Sequence, residues 1–131
     1  MPNSVATLLM FEGSAEEAMN CYLALFKRSA LIQIDRYGPG EMGKEGSVKV
    51  ASFKLCGHDL KCIDSPAQHA FTFTPSVSLF VECESEAELD DTFSQLSAGG
   101  SVLMPLDNYG FSKKFGWLND RFGVSWQLNL Q

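Results

Sequence analysis

The residues best suited to chemistry in this chain are two histidines, four cysteines and one lysine on a predicted strand. His58 lies at a predicted turn and His69 in a segment of weak periodicity, so both are interpreted as surface or loop residues. The alternative is a catalytic dyad of His58 with Asp59 or Asp64, for which no spacing gives support.

The cysteines show no C-x-x-C spacing, so a zinc knuckle or a dithiol motif is not expected. In a reducing compartment they are predicted to be buried thiols. Cys62 stands out because a neighbouring lysine, Lys61, can lower the pKa of a thiol. Adjacent strand residues point to opposite faces, however, which weakens that interpretation. The cysteines are Cys21, Cys56, Cys62 and Cys83.

Lys61 is the most informative polar residue. It is either a surface lysine on a sheet edge or a cation inside a cleft. In the cleft it would hold an anionic ligand or replace the charge of a metal ion.

Composition excludes several classes of function. The net charge is −6 and only 10 basic residues are present, which argues against nucleic-acid binding. No apolar run approaches the ~20 residues that would span a bilayer, so no membrane partner is expected. Residues 1–4 lack the basic and apolar regions of a signal peptide, and the predicted location is the cytoplasm.

The first half reads as strand, helix and three strands. Val5 to Phe11 is an apolar strand, and Ser14 with Glu17 forms a predicted capping box before a helix. Strands are predicted over 31–37, 48–56 and 59–64, with Gly57-His58 as the last turn. Residues 65–75 have little periodicity and are interpreted as a connector.

The second half repeats this order. Strands are predicted over 76–83, 102–106, 113–119 and 124–130. Ser85 and Glu88 form a second predicted capping box, and Gly99-Gly100 a helix stop. Helices are thus expected near 14–27 and 85–98.

Residues at equivalent places in the two halves indicate an internal duplication. Ser14 and Ser85 lie 71 positions apart, and Gly57 and Gly123 lie 66 apart. This predicts an α+β fold of duplicated βαβββ modules, with a curved mixed sheet around a cleft. One domain, 1–131, would hold repeat 1 at about 5–64 and repeat 2 at about 76–130. An α+β sandwich without duplication is the alternative.

Several segments resemble the PhnB-like branch of the vicinal-oxygen-chelate (glyoxalase/bleomycin-resistance) superfamily. They are Leu9 to Gly13, Ala15 to Phe26, Pro105 through Gly116 with Tyr109-Gly110, and above all Asp120 to Leu128. Relatives are often labelled as ubiquinone-pathway methyltransferases. No glycine-rich S-adenosylmethionine loop follows the first strand here.

The resemblance implies four metal-ligand positions, on the first, fourth, fifth and eighth strands. Two of these positions, seven residues before Ser14 and Ser85, are Thr7 and Ser78. The other two, four residues after Gly57 and Gly123, are Lys61 and Gln127. Two hydroxyls, an amide and a cation are poor ligands for a divalent ion, so no metal and no cofactor are expected. Tyr109 and Trp117 complete the predicted ligand-binding set. Phe11, Phe53, Phe80 and Phe115 are further candidates for an aromatic cleft, or else core residues.

The residues and the resemblance favour a PhnB-like, metal-free small-molecule binding protein of unassigned activity. The alternative is an enzyme, a lyase, isomerase or transferase, acting in the same cleft. A structural dimer module is the third hypothesis. The resemblance and the uncovered sheet edges also predict a homodimer.

Overall fold

A computed structural model of the protein describes residues 1–131. The chain forms two compact units, Met1–His69 and Ala70–Gln131. The boundary between them falls inside the predicted connector, 65–75. Neither helix is long and apolar enough to cross a membrane.

The first unit is a four-stranded sheet with one helix. Its strands lie in the order β1-β4-β3-β2, with β1 parallel to β4 and the other neighbours antiparallel. Its elements are β1 (Thr7–Phe11), α1 (Ala15–Leu25), β2 (Ser29–Arg36), β3 (Val48–Leu55) and β4 (His58–Asp64).

The second unit repeats this topology. Its strands lie in the order β5-β8-β7-β6, and β5 is parallel to β8. Its elements are β5 (Leu79–Glu82), α2 (Glu86–Ser97), β6 (Ser101–Asp107), β7 (Lys114–Asn119) and β8 (Ser125–Leu130). The predicted βαβββ duplication and both predicted helices are therefore confirmed.

Each helix packs on one face of its own sheet, where the core lies. In the first unit Met19 and Tyr22 of α1 are buried, as is Phe53 of β3. In the second, Leu89 of α2 and Trp126 of β8 are buried. Each such side chain contributes roughly 1.5–3 kcal/mol by leaving water, so these faces supply most of the stability.

The two helices begin in different ways. The predicted second capping box forms, since Ser85 Oγ accepts the N–H of Glu88 at 3.1 Å. The predicted first box is wrong, because Ser14 makes no side-chain cap bond. Asp64 at the end of β4 replaces it, and its Oδ1 accepts the N–H groups of Gly13 and Ala15, each at 2.9 Å.

The β3–β4 hairpin turns one residue earlier than predicted. Leu55 pairs with His58, so Cys56 and Gly57 form the two-residue loop. Both have positive φ, 50° and 84°, as a type I′ turn requires. Gly57 relieves the strain at one of the two positions, and Cys56 is the non-glycine residue that tolerates it.

Candidate functional site

The face of the second sheet turned away from α2 carries a group of polar side chains. Alternation along β7 and β8 places these residues on this face, because Gly116, Leu118 and Trp126 occupy the helix-facing side. We call the group the polar cluster: Ser78, Glu82, Trp117, Asn119, Ser125, Gln127 and Asn129.

A continuous hydrogen-bond chain joins four members of the polar cluster. Trp117 Nε1 donates to Ser125 Oγ at 2.9 Å, and Ser125 Oγ lies 2.7 Å from Ser78 Oγ. Gln127 Nε2 donates to Ser78 Oγ at 3.2 Å. The structure thus brings three predicted ligand residues, Ser78, Gln127 and Trp117, into one network.

One serine hydroxyl hydrogen is not used within this network. The indole and the amide only donate to it, so the two serine hydroxyls must supply one bond between themselves. Whichever of Ser78 and Ser125 donates, the hydrogen of the other is not used inside the network. The pair can therefore offer one hydroxyl hydrogen to a ligand.

Asn129 carries a buried acceptor atom without a partner. Its Nδ2 donates to Glu82 Oε1 at 2.7 Å, which fixes the orientation of the amide, since the opposite one would set oxygen against carboxylate. Asn129 is only 3% exposed, and its Oδ1 has no hydrogen-bond partner. The Oδ1 of Asn119, in register with Ser125, is likewise buried without a partner.

Aromatic rings border the polar cluster, and we call them the aromatic wall: Phe80, Tyr109, Phe111 and Phe115. Phe115 is central to it, with ring centroids 5.0 Å from Phe111, 6.1 Å from Tyr109 and 6.4 Å from Phe80. Phe115 is buried, whereas the other three rings are exposed. The Tyr109 hydroxyl donates to Pro105 O at 2.5 Å, which fixes that ring.

The other aromatic candidates lie elsewhere. Phe11 and Phe53 are in register with Asp64 and Leu60, which are buried on the helix-facing side of the first sheet. Cys62 Sγ, on the same side, lies 4.0 Å from Ala15 O of α1. Phe11 and Phe53 are therefore core residues.

Thr7 and Lys61 lie on opposite faces of the first sheet. Thr7 is in register with buried Leu60, and its Oγ1 lies 3.0 Å from His58 Nε2. Lys61 is exposed on the other face, where its Nζ donates to Ser52 Oγ at 2.9 Å. β4 is an inner strand, so Lys61 is not on a sheet edge. A common ligand for Thr7, Lys61, Ser78 and Gln127 stays a prediction.

A one-residue difference between the repeats explains the position of Thr7. Thr7 pairs with Leu60, and Leu79 pairs with Trp126. Leu60 and Trp126 are equivalent at the 66-residue offset, so Thr7 corresponds to Leu79 and not to Ser78. A shift of one residue turns a strand side chain to the other face.

The donor set does not fit a divalent metal ion. The polar cluster offers hydroxyl and amide groups, and its single carboxylate, Glu82, already accepts a bond from Asn129. No group of three or more His, Cys, Asp or Glu side chains is placed to hold an ion. Structural and catalytic metal sites need such ligands.

The first unit has a separate open pocket of about 520 Å³ beside the start of α1. Gly43 to Ser47, Asp64 and Ser65 form much of its lining. The Asp64 carboxylate accepts three backbone N–H groups, including that of Val48 at 3.2 Å, so it serves the fold. Ser65 Oγ lies 2.7 Å from His69 Nε2, but it also accepts the Ala67 N–H, as in a local turn.

The sequence interpretation missed Asn119, Ser125 and Asn129. The signal that could have found two of them is the two-residue period of β8. Once Gln127 is assigned to one face of the sheet, positions 125 and 129 must lie on the same face. Glu82, which lies on the same face, accepts a hydrogen bond from Asn129.

Comparison with known proteins gives consistent matches. The sequence matches the family described as 3-demethylubiquinone-9 3-methyltransferase over residues 3–129. The structure of the PhnB protein from Bacillus cereus is 55% identical, aligns over 98% of this chain and 100% of its own, and has a TM-score of 0.95. A protein from Pseudomonas aeruginosa is 26% identical over 99% of this chain and 98% of its own, with a TM-score of 0.85.

A more distant structure shares the fold alone. The fosfomycin resistance protein FosX from Listeria monocytogenes is 12% identical over 100% of this chain and 94% of its own, with a TM-score of 0.61. No curated protein matches the chain.

The paired βαβββ units define a protein of the vicinal-oxygen-chelate, or glyoxalase/bleomycin-resistance, class. Within that class the chain belongs to the PhnB-like family that carries the 3-demethylubiquinone-9 3-methyltransferase description. The predicted resemblance is confirmed.

Proposed function

We propose that this protein binds a small molecule without a metal ion, at the polar cluster and the aromatic wall of the second sheet. The observation that carries the proposal is the hydrogen-bonded set of Ser78, Trp117, Ser125 and Gln127 beside exposed rings. Small-molecule sites combine apolar and aromatic walls with a few placed polar groups.

Some predicted contacts fit this site better than others. Ser78, Gln127, Trp117 and Tyr109 belong to the cluster or to the wall. Lys61 belongs to the first unit, where its side chain is exposed on the sheet face away from α1, and its contact with a ligand stays a prediction. Thr7 is left out, since it lies on the opposite face and is bonded to His58.

Native mass spectrometry and elemental analysis of the purified protein test the proposal. We expect a bound or titratable organic molecule and no stoichiometric divalent metal. Gln127→Ala should weaken ligand binding, whereas Gln95→Ala on the exposed face of α2 should not. One equivalent of zinc, manganese, nickel or magnesium that is lost in Gln127→Ala would overturn the metal-free proposal.

The second candidate is an enzyme acting at the same site, and the name of the family favours it, since it describes methyl transfer. The sheets of this chain are mainly antiparallel, unlike the parallel sheet in which a glycine-rich nucleotide loop follows the first strand. Titration with S-adenosylmethionine separates the candidates. Saturable binding that Gln127→Ala removes would favour the transferase, and no heat of binding would count against it.

A further inference from the structure

The side-chain amide of Gln127 has two hydrogen-bonding groups that the protein leaves free. Its Nε2 carries two hydrogens and donates one of them to Ser78 Oγ at 3.2 Å, while its Oε1 has no partner. The Oδ1 atoms of Asn119 and Asn129 are enclosed, whereas Oε1 of half-buried Gln127 is accessible. The reversed orientation of the amide would also leave a donor and an acceptor free. A ligand can therefore meet both an N–H donor and a C=O acceptor at this residue.

The strand register places this amide beside aromatic rings on one sheet face. Phe80 of β5 and Trp117 of β7 are the direct cross-strand neighbours of Gln127. Phe115 lies diagonally from Gln127, and its ring centroid is 6.4 Å from that of Phe80. Direct and diagonal neighbours of this kind have Cβ atoms roughly 4.5–8 Å apart. One small molecule can therefore contact the amide and a ring together.

The charges on this sheet face disfavour an anionic ligand. Strands β5, β7 and β8 carry no basic residue on it, since Lys114 lies on the helix-facing side and bonds to Glu86 and Asp90 of α2. The carboxylate of Glu82 does lie on it, bonded to Asn129. A bound carboxylate or phosphate would find no countercharge there and would be repelled by Glu82.

The two free groups of Gln127 require a ligand with both a donor and an acceptor. A molecule bound over the amide displaces water, and each polar group then left without a partner costs roughly 1–3 kcal/mol. A ligand with only an acceptor satisfies the N–H and leaves Oε1 unpaired, and a ligand with only a donor does the reverse. An amide group in the ligand, with its N–H beside its C=O, satisfies both.

We infer that Gln127 selects an uncharged aromatic molecule that carries an amide group, such as an aryl carboxamide or a ring lactam. The C=O of the ligand accepts from Nε2 and its N–H donates to Oε1. The ring of the ligand packs against Phe80, which is 56% exposed, and ring pairs gain about 0.5–1.5 kcal/mol beyond the burial of their area. This inference rests on the proposed function and adds the chemical class of the ligand to it.

Three probes of nearly equal shape test the inference on the wild-type protein. Benzamide has the C=O and the N–H, acetophenone replaces the amide nitrogen by a methyl, and benzoate replaces it by an anionic oxygen. Titrations are followed by NMR of the two indole N–H groups, of which Trp117 belongs to the site and Trp126 to the core. We expect benzamide to shift the Trp117 signal and to bind about tenfold more tightly than the other two, because they offer no donor to Oε1.

Variants at two glutamines locate the contact. Gln127→Met keeps the length of the side chain and removes both polar groups, so it should still bind acetophenone and should lose the preference for benzamide. Gln95→Met, at an exposed position of α2, should keep that preference. Thermal unfolding shows that both variants are folded before they are titrated.

The possible outcomes separate this inference from the proposed function. Equal binding of the three probes, tighter binding of benzoate, or an unchanged preference in Gln127→Met overturns the inference, while the response of Trp117 still supports the binding site. If no probe shifts Trp117, the inference fails. If wild type and Gln127→Ala then also retain the same co-purified molecules, the proposed site fails with it.

Discussion

Asp64 shows how one buried residue can replace a sequence motif. Its carboxylate accepts the N–H groups of Gly13, Ala15 and Val48, so it joins the end of β4 to the start of α1 and to β3. Its own carbonyl accepts the Tyr37 hydroxyl at 3.0 Å. A residue 49 positions beyond Ala15 thus supplies the helix cap that Ser14 does not.

Changing Asp64 to Asn should destabilise the protein strongly. Asparagine offers one neutral acceptor in place of two charged oxygens, and its NH₂ would face a backbone N–H. We expect a loss of roughly 2–4 kcal/mol in the free energy of unfolding, measured with urea. Asp59→Asn should cost under about 1 kcal/mol, because that half-exposed carboxylate pairs with Lys54 at the surface. Equal losses would contradict the role given to Asp64.

Cys62 should be the least reactive of the thiols. Burial raises its pKa to about 12, and the nearby charges of Asp64 and Glu16 add to the effect. We expect Cys21 and Cys56, which are exposed, to react with iodoacetamide at pH 8 far faster than Cys62, as measured by mass spectrometry. Fast labelling of Cys62 in the folded protein would be contrary to this burial.

The same raised pKa predicts a stability change in alkali. The folded state holds the Cys62 proton above pH 9, where the unfolded chain has lost it. The contribution of this thiol to the free energy of unfolding is therefore complete below pH 9, and it is lost as pH rises toward 12. Cys62→Ala should flatten the dependence of the free energy of unfolding on pH between 9 and 11, compared with Cys56→Ala.

At the scale of the elements, the N-termini of α1 and α2 can be compared by the same substitution, serine to alanine. Ser85→Ala removes the bond to the Glu88 N–H and should cost about 1 kcal/mol. Ser14→Ala removes no cap bond and should change the free energy of unfolding little. Chemical denaturation measures both, and a larger loss at Ser14 would refute the asymmetry.

The elements themselves could be predicted from sequence because their signals are local. Apolar periodicity, Gly99 and the serine before each helix indicate the order of strands and helices within a few residues. The cap by Asp64 could not be predicted, since it depends on a contact between β4 and α1 across the chain.

The candidate site was only partly predictable for a related reason. Gln127 and Ser78 were placed by counting, and they do meet. Thr7 was counted in the same way, but α1 begins eight residues after Thr7, whereas α2 begins seven residues after the equivalent Leu79. Register between strands, which decides the face of each side chain, is a tertiary property.

At the scale of the whole molecule, duplication supplies two equivalent sheets that have diverged in charge. The face away from the helix carries Lys61 in the first unit and the neutral Gln127 at the equivalent position in the second. The polar cluster and the aromatic wall belong to the second unit, so equivalent faces of the two sheets carry different side chains.

We propose that the protein is a homodimer. Each sheet has two outer strands, β1 and β2 in the first unit and β5 and β6 in the second, and the far edges of β2 and β6 have no partner strand. These strands expose Leu31 and Ile32, and Val102 and Leu103, at 41–58% of their surface. Both carry register irregularities, which limit uncontrolled edge pairing, yet apolar side chains on open edges favour association with a second copy.

Light scattering at tens of micromolar should give twice the chain mass of 14.4 kDa. Ile32→Lys and Leu103→Lys place a charge on β2 and on β6 respectively, and the one that yields monomer identifies the strand at the interface. Val5→Lys is the control, because Val5 is exposed but precedes β1. A wild-type mass of 14.4 kDa at that concentration would exclude the dimer, since a buried apolar interface is already assembled at micromolar protein.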